Sequence, residues 1–257
     1  MKKINLEKKD MHRGNLIVVN LKYPMYIKSN KAFEEICNPF EKFLIDKEVK
    51  EKLLTIFEKI KSDGQILVES GYRDKEGQRK IYQDITKEKG IEYAEKYVAI
   101  PGHSEHHTGL AIDLALFKEG DDPYGEFRYT GICEKFRKRA LDYGFIQRYK
   151  KDKEQITGIS EEPWHFRYVG YPHSAIMDKE NLCLEEYIEY LKNKGSITYK
   201  NIEILYVSYK EDGMEVELPC KCDYEVSGDN VGGFVFTIHK HLATPENTPF
   251  WSSQSKN

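Results

Sequence analysis

Long apolar runs are missing from this chain of 257 residues. The run from Leu16 to Val19 is far too short to be the core of a signal peptide. Elsewhere, no stretch approaches the roughly 20 apolar residues that a membrane-spanning helix needs. We therefore expect a cytoplasmic protein that starts at Met1 and has no membrane as a partner.

Cysteine is scarce, and charge of either sign shows no excess. Five scattered cysteines are an odd number for a disulfide framework, and their scarcity fits a reducing compartment. A net charge of -3 gives no reason to expect nucleic acid as a partner. With 39% apolar and 32% charged residues, the composition is that of an ordinary globular protein.

Hydrophobic spacing predicts alternating helices and strands in the first three quarters of the chain. Helices are predicted at 47–61, at 75–99 with a break at Gly90, at 132–143 and at 184–194. Strands are predicted at 15–20, 65–71, 109–117, 145–148 and 164–169, with a polar loop at 150–162. This predicts an α+β fold in which a central, mainly antiparallel sheet is flanked by helices.

The amino-acid composition of the sequence changes after residue 195. From there on the chain is rich in β-branched and aromatic residues that alternate with polar ones. We predict a main domain over 1–195 and a β-rich C-terminal extension over 196–257. The extension is expected to end in a loosely ordered tail from about residue 242.

The segment Gly102–Leu114 concentrates three histidines and an aspartate in a few residues. Its second half reads as a strand, in which alternate side chains point to opposite faces. One face is apolar and comprises Leu110, Ile112 and Leu114. The other face carries two small residues and a carboxylate: Gly109, Ala111 and Asp113. Asp113 therefore lies on a strand face whose other side chains are small, and the His106 side chain can reach this face from the preceding loop.

A second histidine belongs to the same pattern. His165 lies on a predicted strand between Trp164 and Phe166, which would point into the core and leave the imidazole on the opposite face. Together with His106 and Asp113 it would make a three-ligand zinc site with an open fourth position, which is typical of catalytic zinc. One cofactor ion, Zn²⁺, is therefore expected.

Hydrolysis at such a site needs two further groups. Zinc with these ligands would keep about one net positive charge and activate a water, so a carboxylate must take the proton. Glu162, three residues before His165, is favoured over Glu161 as this base. Arg73 follows the strand 65–71 and is the candidate cation for the developing oxyanion, with a surface ion pair as its less favoured interpretation.

Three sequence elements, taken together, resemble a known family. The pattern S-x-H-x-x-G-x-A-x-D is formed by Ser104, His106, Gly109, Ala111 and Asp113. The pattern E-x-x-H is formed by Glu162 and His165. The pattern S-G-Y-R-x-x-x-x-Q is formed by Ser70, Gly71, Tyr72, Arg73 and Gln78. In this order they are similar to the D-Ala-D-Ala metallopeptidases of the VanX, VanY and VanXY group, over about residues 12–195.

The resemblance implies a role for each matching residue. His106, Asp113 and His165 would hold the zinc, Glu162 would be the catalytic base, and Arg73 would polarise the scissile carbonyl. Gln78 and Ser104 would help to hold the substrate, a small peptide ending in D-Ala. The implied activity is that of a D,D-carboxypeptidase, a D,D-dipeptidase or both, with a role in glycopeptide resistance as a hypothesis.

Two other functions stay open at the level of the sequence. The same fold could serve a peptidoglycan endopeptidase, such as an endolysin-like L-Ala-D-Glu peptidase, or a zinc-binding module without catalysis. A module without catalysis should have degraded motifs, whereas the ligands, Glu162 and Arg73 are all present here. The sequence does not distinguish a dipeptidase from a carboxypeptidase, and it leaves the oligomeric state open.

Overall fold

The computed structural model describes residues 2–29, 31–210, 213–219 and 222–240. The helices are α1 (Lys47–Ile60), α2 (Lys75–Lys89), α3 (Ile91–Tyr97), α4 (Gly131–Ala140), α5 (Glu154–Thr157), α6 (His173–Lys179) and α7 (Leu184–Lys194). The first strands are β1 (Lys2–Leu6), β2 (Phe33–Cys37), β3 (Lys42–Asp46), β4 (Ile66–Ser70), β5 (Ala111–Phe117) and β6 (Tyr124–Gly125). They are followed by β7 (Phe145–Tyr149), β8 (Glu162–Tyr168), β9 (Ser196–Tyr199), β10 (Ile202–Ser208), β11 (Met214–Leu218), β12 (Cys222–Gly228) and β13 (Gly233–Lys240).

The central sheet has the order β4-β5-β8-β7, with β6 as a short addition to β5, and all its pairings are antiparallel. One face of this sheet packs against α1 and α4, where it forms a continuous hydrophobic core. The predicted apolar face of β5 lies in that core: Leu110, Ile112 and Leu114. The predicted α+β fold with flanking helices is confirmed, and the opposite face of the sheet is left for polar side chains.

Local sequence signals explain where the helices begin and end. The Asp46 carboxylate accepts hydrogen bonds from the first backbone N–H groups of α1, and Lys61 closes that helix in the left-handed conformation. Asp74 caps α2 in the same way. Gly90 separates α2 from α3, as the sequence predicted.

The predicted strand at 15–20 is wrong. This segment is deeply buried but has no strand partner, and its backbone is satisfied mainly by side chains instead. Arg167 donates to the carbonyls of Asn15 and Ile17, and Asn230 donates to that of Val18. Apolar content alone predicted burial correctly but could not distinguish a strand from an extended buried segment.

Several elements were not predicted. The hairpin β2–β3, strand β1 and helix α6 lie in regions without a clear apolar period. The predicted polar loop at 150–162 contains a 3₁₀ turn at Lys151–Lys153 and the short helix α5. None of these changes the order of the central sheet.

The C-terminal part forms a four-stranded antiparallel sheet with the order β12-β13-β10-β9. Strand β11 does not join this sheet but pairs with β1 from the N-terminus. A hydrophobic cluster spans both predicted regions, in which Val18, Ile176 and Tyr187 pack with Ile204 and Val235. The boundary at residue 195 stays a prediction, and the tail from residue 242 lies outside the described residues.

Two expectations about the chain concern thiols and membranes. Four of the five cysteines lie in the described part, and all four are free: Cys37, Cys133, Cys183 and Cys222. Within the described ranges, no helix combines the length and the apolar character needed to cross a membrane.

Candidate active site

His106, Asp113 and His165 converge on the polar face of the central sheet. One ligand atom from each of them lies within 4.8 Å of the others. His106 Nε2 is 3.2 Å from Asp113 Oδ2, and His165 Nδ1 is 2.8 Å from Asp113 Oδ1. Two imidazole nitrogens and one carboxylate oxygen are a donor set that fits zinc.

Backbone pairing explains this convergence. Asp113 on β5 is directly opposite His165 on β8, so both side chains point to the same face. His106 lies in the 3₁₀ turn Glu105–Thr108, which Gly109 closes with a φ of +77°. A Cβ at Gly109 would come within 2.3 Å of the Phe33 ring, so both the conformation and the packing require glycine.

The His106 ring is fixed by a backbone carbonyl. Its Nδ1 donates to Gly71 O at 2.7 Å, because a carbonyl can only accept. The Nε2 lone pair therefore points towards Asp113. Burial lowers the pKa of His106 to about 4, and the nearby Arg73 charge contributes in the same direction. This imidazole is neutral near pH 7, which is the form that binds metals.

His165 has carboxylates on both sides of its ring. Nδ1 faces Asp113, and Nε2 lies 3.5 Å from Glu105 Oε2. Burial lowers the pKa of His165, but the neighbouring carboxylates of Asp113 and Glu105 outweigh it and raise the pKa to about 9. Without a metal, the ring is therefore doubly protonated near neutral pH, and zinc binding would displace one of the two protons.

Arg73 lies in the loop between β4 and α2, where two side chains hold its guanidinium. NH2 donates to Ser70 Oγ at 2.8 Å, and NH1 donates to Gln78 Oε1 at 3.1 Å. NH2 also lies 3.5 Å from Asp113 Oδ2. Burial lowers the pKa of Arg73, which is still a permanent cation at neutral pH.

Gln78 and Ser104 line the same cavity as Arg73. The Gln78 amide is buried, and its Nε2 donates to Ala99 O at 2.7 Å while its Oε1 accepts from Arg73. Ser104 Oγ accepts from the backbone N–H of His106 at the start of the 3₁₀ turn. Gln78 thus helps to hold the Arg73 side chain, and Ser104 helps to hold the backbone at His106. Their contact with substrate stays a prediction.

Glu162 is a buried carboxylate at the start of β8, and its Oε2 lies 3.8 Å from His165 Nδ1. Burial raises its pKa to about 8. Glu161, the competing candidate, accepts a hydrogen bond from the Tyr129 hydroxyl at 2.6 Å, and it does not line the cavity. The geometry therefore favours Glu162 as the proton-handling group.

A cavity of about 150 Å³ brings these side chains together. Its lining includes all seven of the predicted site residues: Arg73, Gln78, Ser104, His106, Asp113, Glu162 and His165. Apolar and aromatic groups complete the wall, among them Ile81, Tyr97 and Trp164. The other histidines of the motif lie apart from it, since His107 Nδ1 contacts Arg73 O and His103 Nδ1 contacts Asn20 O.

Two residues of the cavity were not predicted from the sequence. The Tyr149 ring lies against His165, with ring centroids 4.9 Å apart. Glu105 is fully buried next to the same imidazole. For Glu105 the sequence does hold a signal, because Arg148 and Arg167 interrupt apolar strands and must find a buried carboxylate.

Comparison with known proteins confirms the family resemblance inferred from the sequence motifs. A family model described as "VanY: D-alanyl-D-alanine carboxypeptidase" matches residues 42–171. This range is half of the chain and contains the three metal-ligand candidates, Glu162 and Arg73. The chain belongs to the VanY family.

Relatives of this VanY-family chain carry related names. A D-alanyl-D-alanine carboxypeptidase of Enterococcus faecium is 34% identical over 253 residues, which cover 91% of this chain and 78% of the relative. The bifunctional D-Ala-D-Ala dipeptidase and carboxypeptidase VanXYC of Enterococcus gallinarum is 48% identical over 47% of this chain and 65% of its own length. A crystal structure of the D,D-dipeptidase VanXYg with a D-Ala-D-Ala phosphinate analogue is 46% identical, with a TM-score of 0.89 over 93% of this chain and 99% of that one.

Proposed function

We propose that this VanY-family chain is a zinc-dependent D,D-peptidase that hydrolyses the D-Ala-D-Ala peptide bond of small cell-wall precursor peptides. One observation carries the proposal: the three-donor set of His106, Asp113 and His165 opens into a single cavity with Glu162 and Arg73. A zinc-binding module without catalysis would not need the last two. The names of the relatives supply the substrate class.

The metal would be held through His106 Nε2, Asp113 and His165 Nδ1. These atoms are the ones that the hydrogen bonds and the strand pairing turn towards each other. When bound there, zinc would polarise the scissile carbonyl and acidify a water molecule. The remaining chemistry falls to the side chains around it.

Glu162 handles the proton in this proposal. Its carboxylate takes a proton from the attacking water and passes it to the amine nitrogen of the leaving D-Ala as the C–N bond breaks. A buried carboxyl whose pKa is raised to about 8 holds a transferred proton well near neutral pH. The positive charge of the bound zinc would favour the ionised form that takes the first proton, and burial favours the protonated form that passes it on.

Arg73 would face the oxygen of the scissile carbonyl, on which negative charge develops. Its hydrogen bonds to Ser70 and Gln78 fix the guanidinium in advance, so little reorganisation is needed during the reaction. Gln78 and Ser104 line the same cavity and would help to hold the terminal D-Ala. Ser104 Oγ retains its own O–H as a donor for the substrate.

The setting of the reaction is part of the proposal. We place it in the cytoplasm, where an enzyme can reach both the free dipeptide and the precursor pentapeptide. Removal of the terminal D-Ala there would remove the target of vancomycin-type antibiotics and so contribute to glycopeptide resistance.

Release of D-alanine tests this function. The zinc-loaded protein is incubated with D-Ala-D-Ala, with a pentapeptide that ends in D-Ala-D-Ala, and with whole muropeptides. We expect D-alanine from at least one of the first two substrates, and the ratio of their rates distinguishes a dipeptidase from a carboxypeptidase. Cleavage of muropeptides at L-Ala-D-Glu, without D-alanine release, would instead support the endopeptidase.

A further inference from the structure

A buried ionic network lies behind His165, on the side away from Asp113. Its centre is Glu105, whose side chain is 0% exposed, as are those of Arg148 and Arg167. Arg148 Nε donates to Glu105 Oε1 at 2.9 Å, and Arg167 NH1 donates to the same oxygen at 2.6 Å. None of these three residues has a role in the proposed function.

The two carboxylate oxygens of Glu105 have different partners. Both arginines bind Oε1, while the other oxygen, Oε2, has no hydrogen-bond partner among the described residues. His165 Nε2 is a second buried atom without a partner, and the two lie 3.5 Å apart. An unpaired acceptor thus faces an unpaired ring nitrogen, and a buried polar atom left without a partner is costly.

We propose that Glu105 is a positioning residue for His165, which accepts its Nε2–H through Oε2 and so directs the Nδ1 lone pair towards the metal. This inference rests on the proposed function, because it concerns the ligand geometry of the zinc site. His106 is oriented differently, since its Nδ1–H donates to the backbone carbonyl of Gly71 and leaves Nε2 for the metal. The two imidazoles would therefore bind the metal through different nitrogens.

The rest of the network holds Glu105 in place. Arg148 binds Glu185 with two further hydrogen bonds, at 2.9 and 2.6 Å. Arg167 donates to the carbonyls of Asn15 and Ile17. Both guanidinium groups are thus anchored by contacts outside the site. Rotation of the Glu105 carboxylate would break both arginine hydrogen bonds to Oε1, and these bonds therefore keep Oε2 directed towards His165.

A matched pair of variants tests the proposal. Glu105→Gln and Glu185→Gln each remove one negative charge next to Arg148, but only Glu105 faces His165. In Glu105→Gln the arginines would donate to the amide oxygen, which leaves the NH₂ group next to the His165 Nε2–H. Two donors would then face each other, and neither could make a hydrogen bond. We expect zinc to bind about 10- to 100-fold more weakly, measured by competition with a chromophoric chelator. Glu185→Gln keeps one acceptor oxygen for Arg148 and leaves both arginine contacts of Glu105 in place, so it should bind zinc as the unaltered protein does.

A spectroscopic measurement distinguishes positioning from general stability. Nitrogen-15 NMR of labelled histidine, in the zinc-loaded protein, should show a slowly exchanging Nε2–H on His165. That signal should be lost or shifted in Glu105→Gln and kept in Glu185→Gln, while urea unfolding reports the stability of each variant separately.

Three outcomes would overturn the inference. An unchanged zinc affinity and an unchanged His165 signal in Glu105→Gln would show that the contact has no such role. An equal loss of affinity in both variants would make the network merely structural. In either case the proposed function would stand if the unaltered protein binds one zinc and releases D-alanine. The third outcome, an unaltered protein that binds no zinc, would overturn both the inference and the proposed function.

Discussion

The partly buried carboxylate of Asp113 and the buried carboxyl group of Glu162 differ in pKa because their neighbours differ. Burial acts to raise the pKa of Asp113, but His106 and His165 outweigh it and hold that pKa well below its ordinary value. At Glu162 burial prevails and raises the pKa to about 8. An ionised carboxylate suits a metal ligand, and a carboxyl that titrates near neutrality suits proton transfer. The environments therefore match the roles proposed for these two residues.

Replacement of Glu162 by Gln tests the proton-handling role. The amide keeps the size of the side chain but cannot accept the proton, so we expect kcat to fall by about 10²- to 10⁴-fold while one zinc still binds. Glu161→Gln is the matched control, because Glu161 contacts Tyr129 and does not line the cavity. Turnover and metal content are measured on the same preparations. A Glu162→Gln protein that keeps full turnover would contradict the assignment.

Replacement of Arg73 by Lys tests whether the fixed guanidinium matters beyond its charge. Lysine keeps the positive charge but cannot donate to Ser70 and Gln78 in the same fork, so we expect kcat to fall by about 10²- to 10³-fold. Arg79→Lys on α2 is the control, because Arg79 is half exposed and pairs with Glu76. Equal rates for the two variants would show that Arg73 is not held for catalysis.

At the scale of secondary structure, side-chain alternation was the most informative signal. It predicted the apolar face of β5 and placed Asp113 on the opposite face, next to His165. The E-x-x-H and S-x-H-x-x-G-x-A-x-D spacings then predicted which side chains meet. This part was predictable because it depends on pairing between neighbouring strands.

Other features depend on contacts between distant parts of the chain and could not be predicted in this way. The segment 15–20 looked like a strand because it is apolar, but side chains from β8 and from the turn between β12 and β13 satisfy its backbone carbonyls. Likewise, the role of Glu105 depends on two arginines more than 40 residues away in sequence. No local periodicity in the sequence indicates such a contact.

His173 connects helices α6 and α7 with strand β13 and makes their packing sensitive to acid. Its Nδ1 lies 2.8 Å from the Tyr187 hydroxyl, and its Nε2 lies 2.8 Å from Thr237 Oγ1. Burial lowers its pKa from 6.5 to about 3. As the pH falls below about 6.5, the unfolded chain therefore binds a proton that the folded protein does not, and stability is lost.

This linkage predicts a measurable loss of stability. From about pH 7 to about pH 5, His173 should lower the free energy of unfolding by about 2 kcal/mol. Urea unfolding of the metal-free protein at both pH values, compared with His173→Gln, isolates this contribution. The variant should lack that part of the pH dependence. An equal pH dependence in both proteins would show that His173 does not stay neutral when buried.

The whole molecule shares core packing across the boundary predicted at residue 195. Strand β1 pairs with β11, and one hydrophobic cluster joins α6 and α7 to β10 and β13. We therefore expect a single cooperative unfolding transition, in which far-UV circular dichroism and tryptophan fluorescence coincide. Two separate transitions in urea would show that the two regions unfold independently.

The central claim is that one zinc ion, held by His106, Asp113 and His165, supports hydrolysis of the D-Ala-D-Ala bond. The most direct test is to titrate the metal-free protein with zinc and to follow the rate of D-alanine release. We predict no release without metal, a linear rise up to one equivalent of zinc and then a plateau. Release from the metal-free protein, or no release at any zinc concentration, would contradict the claim.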